Sequence, residues 1–125
     1  MKESLRYLQN AKDILGKAPV EDNIYADVKP VQEACGVAYL AVLKAIDEYF
    51  LKRGVEKNKL PQSVEGYRHL LKKYGSIHDG KLLKSFESLY EELHIAGYYH
   101  GNLHSVGAVK AALKTAQAFI EKIGS

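Results

Sequence analysis

The amino-acid sequence predicts an all-α protein, an antiparallel four-helix bundle of the up-and-down kind carrying one additional short helix. Apolar residues return at the helical spacing of three and four in five separate stretches. No stretch sustains the alternation of β-branched residues that a half-buried strand needs. Glycine closes the first four stretches, and the short connections between them favour antiparallel neighbours.

The first helix is expected from about Lys2 to Leu15, with Leu5, Leu8, Ala11 or Lys12, and Leu15 on one stripe that Tyr7 and Ile14 widen. Gly16 supplies its C-terminal cap and Pro19 forbids continuation. A loop through "EDNIY" follows, after which Asp27 can cap a second helix that tolerates Pro30 in its first turn. That helix, Val28 to Arg53, would be about 39 Å long. Val31, Ala34, Cys35, Ala38, Val42, Ala45, Ile46 and Tyr49 form one continuous apolar face, and Gly54 ends it. Val37, Leu40 and Leu43 make a second side apolar as well, so the helix needs two partners; the excess predicts a homodimer interface. Ala34, Gly36, Ala38, Ala41 and Ala45 would let another backbone approach closely, in a dimer or within one tightly packed monomer.

Ser63 to Tyr74 reads as the short helix, with Val64, Tyr67, Leu70 and Leu71 inward and Gly75 as its stop. Asp79 can cap a fourth long stretch in which Leu82, Phe86, Leu89 and Leu93 face inward, supported by Leu83 and Tyr90, as far as Gly97. The last helix is expected to start between Asn102 and Ser105 and to present Val106, Val109, Leu113, Ala116, Phe119, Ile120 and Ile123.

With 125 residues, residues 1–125 are expected to form one domain. "MKESLRYLQN" lacks the apolar core of a signal peptide and no apolar run has the length of a membrane span, so no membrane association and a cytoplasmic location are expected. A lone cysteine has no partner for an internal disulfide, and Cys35 on an apolar helix face predicts a buried, inert thiol. The net charge of +3 is unevenly spread: from Lys52 to Lys84, nine Lys or Arg face only Glu56, Glu65 and Asp79. Such a segment can meet phosphates, but only three arginines occur in the chain, and bidentate phosphate recognition favours arginine.

The densest chemistry lies in "HIAGYYHGNLHSVG", His94 to Gly107. His100 and His104 stand four apart, a spacing that on a helix suits a zinc pair, but Gly97 and Gly101 place His100 in a turn and no further ligand is nominated, so neither metal nor cofactor is expected. Tyr98, Tyr99 and Asn102 of this stretch, with Arg68 and Lys72 of the basic helix, are the candidate ligand-binding residues. Tyr67 and Tyr74 flank those cations as stacking platforms flank single-stranded nucleic acid, although their spacing with Leu70 and Leu71 is that of a core stripe. There is no "GxSxG" nucleophile setting, no glycine-rich phosphate loop after a strand, and the adjacent Glu91 and Glu92 point in different directions, so hydrolase and nucleotide-fold readings fall away.

The segments "YLQNAKDIL", "KPVQEACGVAYLAVLKAIDEYF" and "AVKAALKTAQAFIEKI" together resemble the HEPN superfamily, in an uncharacterised bacterial branch. The resemblance implies a four-helix bundle that commonly dimerises, and either a ribonuclease or a partner of a small nucleotidyltransferase or of RNA. Ribonucleolytic members carry an arginine followed by four to six residues and a histidine near the start of the last helix. "YYHG" puts His100 at that histidine's place, but the residues at the arginine's distance are Leu93, His94 and Ile95, or Gly97, Tyr98 and Tyr99 counted from His104. The expectation is therefore a non-catalytic HEPN-like interaction or ligand-binding module. The alternative is a metal-independent ribonuclease using His100, with His94 or His104 assisting.

Overall fold

A computed structural model describes residues 2–75 and 80–124. The chain is mostly helical: α1 (Glu3–Gly16), α2 (Val28–Lys52), α3 (Val64–Tyr74), α4 (Lys81–Leu89), a π-helix (Tyr90–Tyr99) that continues α4, and α5 (Val106–Gly124). A short 3-10 turn at Lys57–Lys59 leads into α3. The helix starts follow local chemistry. Asp27 accepts the Lys29 amide at 3.1 Å to open α2, Ser63 accepts the Gly66 amide at 3.1 Å to open α3, and Ser105 accepts the Ala108 amide at 3.0 Å to open α5. The cap expected from Asp79 lies outside the described residues.

The long helix α2 is the spine, in contact with α1, the π-helix and α5. Its expected inner face from Val31 to Tyr49 is buried, and Leu8, Ala11, Leu82, Phe86, Leu93, Val109, Ala116 and Ile120 close around it. On the second side Val37 and Leu43 are half-buried, whereas Leu40 is exposed.

Two local structures depart from the expectations. The "EDNIY" loop is a β-hairpin, with β1 (Val20–Glu21) antiparallel to β2 (Ile24–Tyr25). Asp22 and Asn23 both adopt positive φ, 52° and 63°, the conformation of a two-residue I′ turn that Asp and Asn tolerate best among residues with a side chain. The hairpin is tied to the start of α5: the Tyr25 amide donates to the His104 carbonyl at 2.8 Å and the Val106 amide to that of Asn23 at 3.0 Å. The second departure is the π-helix itself. Gly97, expected in a turn, lies inside it and is buried against α2, while Gly101, at φ 62°, makes the turn.

Candidate functional site

The π-helix forms where α4 must lie against the small-residue side of α2. A Cβ on Gly97 would stand 2.6 Å from the Cys35 sulfur and 2.8 Å from its Cβ; one on Gly36 would stand 2.8 Å from the Tyr98 ring. The two glycines therefore permit an approach that any side chain would obstruct, and the small residues of α2 serve contacts within one chain. The end of the π-helix is fixed from three directions. The His100 amide donates to the Ile95 carbonyl at 2.9 Å, the Asn102 amide reaches that of Ala96 at 2.8 Å, and the Gln32 side-chain amide donates to the Tyr98 carbonyl at 3.0 Å. A left-handed glycine followed by a back-bonded amide is the usual way a helix satisfies its last carbonyls.

Along this segment the rings at positions 90, 94 and 98 line up. His94 is half-buried, its centroid 5.4 Å from Tyr90, 5.7 Å from Tyr98 and 4.9 Å from Tyr39 of α2, with interplanar angles of 26°, 15° and 29°. The column continues inward from Tyr90 through Phe86 and Tyr67 to Phe50. Burial pushes the Tyr39 phenol up to about 12, with Tyr90 adding to the effect, so it stays a neutral ring at physiological pH. At its outer end the column opens into a groove of about 480 Å³ between α1, α2 and the π-helix. Ile14, Gly36, Val37, Leu40, His94 and Tyr98 line it, with Glu33 as its one carboxylate. Leu40 is 46% exposed and Tyr98 48%. An apolar trough with exposed aromatic and aliphatic edges is suited to receiving apolar side chains.

The structure separates the sequence-nominated residues. Of the three histidines only His94 reaches the groove. His100 is exposed just beyond the π-helix with its ring edge against Tyr99, and His104 is exposed in the following non-helical strand of chain, its carbonyl used by Tyr25. His100 and His104 therefore do not share a helix face. Among the described residues, no three or more His, Cys, Asp or Glu side chains gather where they could hold a metal ion. Tyr99 and Asn102 are exposed outside the groove.

Arg68 Nε donates a bifurcated bond to both carboxylate oxygens of Glu87 at 2.9 Å, its Nη1 pairs with Glu65, and the guanidinium lies 5.3 Å over the Tyr90 ring. It braces the column from outside and has its charge already matched. Lys72 is exposed on the same helix. Tyr67 is buried and donates to Asp47 at 2.8 Å, so it is core and not a stacking platform. The Cys35 thiol is buried, and burial, aided by Glu92, pushes it up to about 11, which makes it a poor nucleophile. Sequence reasoning missed Gly36, Gln32 and Tyr39 as parts of the site. The signal for Gly36 was present, a glycine inside an otherwise strong helix.

A family model described as "Domain of unknown function (DUF5618)" matches residues 1–125. No curated protein matches the chain significantly. Among solved structures, a protein of unknown function from Dyadobacter fermentans is 37% identical, covers 98% of this chain and 91% of its own, and superposes with a TM-score of 0.79.

Proposed function

The chain belongs to the DUF5618 family, and from this premise we propose a non-catalytic interaction module of HEPN-like type, a homodimer in the bacterial cytoplasm. In this reading α1, α2, α4 with its π-helical continuation, and α5 are the four antiparallel helices of an up-and-down bundle, and α3 is the additional short one. The observation that carries it is the groove beside His94: an apolar trough flanked by exposed Leu40 and Tyr98 on a rigid aromatic column. A second copy of the chain, presenting its own Leu40 and Tyr98, is the partner whose surface matches, because an isologous contact brings the same apolar patch to both sides. The HEPN resemblance adds a nucleotidyltransferase or RNA as a further partner class. A role in binding is favoured over cleavage because Arg68, which shares the Tyr90 ring with His94, is held by Glu65 and Glu87 and supplies no uncompensated charge for a phosphate.

Two measurements test the proposal. Light scattering on the purified protein is expected to give twice the mass of the chain, and Leu40→Glu the mass of one chain with unchanged helical content. A parent protein that is monomeric at micromolar concentration overturns the dimer. Incubation with total RNA in EDTA is expected to leave the RNA intact. Cleavage that disappears in His100→Ala overturns the non-catalytic reading and establishes the metal-independent ribonuclease instead.

A further inference from the structure

A second hollow lies in another part of the molecule. α1 stops at Gly16, the chain turns through Ala18, and the hairpin arches across to α5, leaving a cleft of about 500 Å³ between these three elements. Its volume falls within the range of small-molecule sites, roughly 300–1,000 Å³. The inner surface is apolar, from Leu15, Val20, Tyr25, Val106 and Leu113. Lys12 of α1 and Lys110 and Lys114 of α5 are the charged residues that line it, and no carboxylate does. Lys12 donates to the Gln117 side-chain oxygen at 2.5 Å, bridging α1 to α5. Among the described residues, Lys110 and Lys114 have no acidic partner, and they stand four apart on one helix, a like-charge spacing that is unfavourable when nothing neutralises it. Burial raises the Tyr25 phenol above its usual range, so Tyr25 adds no negative charge to the lining.

Three cations around an apolar floor select a ligand with one anionic end and an apolar body. We propose that this cleft, separate from the groove beside His94, binds a free monocarboxylate with a medium-length aliphatic chain, its carboxylate at Lys110 and Lys114 and its chain along Leu15, Val20, Tyr25 and Val106. The carboxylate relieves the repulsion between the two lysines, and the chain covers apolar surface now facing water. A neutral amphiphile gains only the second contribution, and a cationic one is repelled.

Calorimetric titration of the full chain with hexanoate, octanoate and decanoate, all below micelle formation, tests the proposal, with octylammonium as the opposite-charge control. Affinity is expected to rise with chain length, by up to about fourfold per methylene at full burial. It is expected to weaken with added salt, and octylammonium is expected not to bind. Lys110→Gln/Lys114→Gln, two exposed substitutions, is expected to weaken octanoate roughly fivefold to tenfold while helical content stays unchanged and the thermal midpoint does not fall. Amide chemical-shift changes on octanoate addition are expected at Val20, Tyr25 and Val106. The proposal is overturned if octylammonium binds as tightly as octanoate, if affinity ignores chain length, or if the double variant binds like the parent. It is also overturned if the shift changes fall at His94 and Tyr98 instead, or if the protein associates with anionic phospholipid vesicles but not with the free carboxylates.

Discussion

Replacing Gly97 with alanine isolates the packing that holds the π-helix to α2. The new methyl group would sit 2.6 Å from the Cys35 sulfur and 2.8 Å from its Cβ. Carbon atoms in ordinary contact stand about 3.5–4.0 Å apart, so the shortfall is about 1 Å. The Cβ is bonded directly to the α2 backbone and cannot swing aside, and the sulfur, a single bond further out, has only χ1 with which to move. The helices themselves must separate, against an interface that includes Leu93 and Ala38, both buried. Overpacking of this kind costs about 1–3 kcal/mol. Alanine's better helix propensity returns up to about 1 kcal/mol, and because the contact is with a Cβ fixed to the α2 backbone the overpacking is taken near its upper end, for a net destabilisation of up to about 2 kcal/mol. Urea unfolding followed by far-ultraviolet circular dichroism measures it, as a lower midpoint at unchanged slope. Cys35→Ala/Gly97→Ala removes the sulfur but keeps the Cβ at 2.8 Å, and should recover only part of the loss relative to Cys35→Ala alone. A Gly97→Ala protein more stable than the parent would refute the reasoning, since propensity would then outweigh the contact with Cys35.

Further expectations concern single groups. Ser4 is buried and, among the described residues, its hydroxyl has no hydrogen-bond partner, so Ser4→Ala should raise stability by about 1 kcal/mol; a lower unfolding midpoint would show that the hydroxyl is satisfied in solution. Burial raises the Asp47 carboxyl above its ordinary value, against the Tyr67 hydrogen bond and Lys44, so the native state takes up this proton at higher pH than the unfolded chain does. Its contribution to stability is complete below the unfolded value and is lost as pH rises through the folded one. Asp47→Asn should accordingly gain most on the parent at neutral pH, with the difference closing in acid; a gap that widens in acid contradicts this. The Cys35 thiol, pushed up to about 11, should resist an aromatic disulfide reagent at neutral pH until the protein unfolds, and its contribution to stability should fade as pH rises towards that value, a loss absent from Cys35→Ala. Rapid labelling of the native protein contradicts the burial.

Much of the helical framework is written in residue spacing, because burying a stripe at every third and fourth position is what an amphipathic helix does. The inner face of α2, the Asp27 cap and the Gly75 stop all follow from that rule and from local hydrogen bonding. The hairpin escapes it because two residues per strand are too few to show alternation, and its signal is instead the pair Asp22 and Asn23, tolerant of positive φ. The π-helix escapes it for another reason. Leu82, Phe86 and Leu89 satisfy an α-helical stripe up to the point where the backbone widens, Leu93 stays buried within the wider turn, and the widening accompanies a tertiary contact, that between Gly97 and Cys35, that no local pattern encodes. The site divides in the same way. His94 and Tyr98 were legible as chemistry-bearing residues, but four positions of separation along an assumed helix end and turn did not reveal that they stack. His100 and His104 lost their apparent pairing once Gly101 turned the chain.

The bonds joining the hairpin to the start of α5 also say something about time. Tyr25 and His104, like Asn23 and Val106, come from opposite ends of the sequence, so their hydrogen bonds are expected to close only once α1 and α5 lie alongside α2. Such a clasp is expected to open before the helices do, since of the hairpin's apolar residues Tyr25 alone is buried while Val20 and Ile24 remain exposed. Exchange of the Tyr25 and Val106 amide protons should therefore report a fluctuation well below global unfolding. Because Tyr25 and Val106 also wall the lysine-rimmed cleft, the same fluctuation loosens that wall.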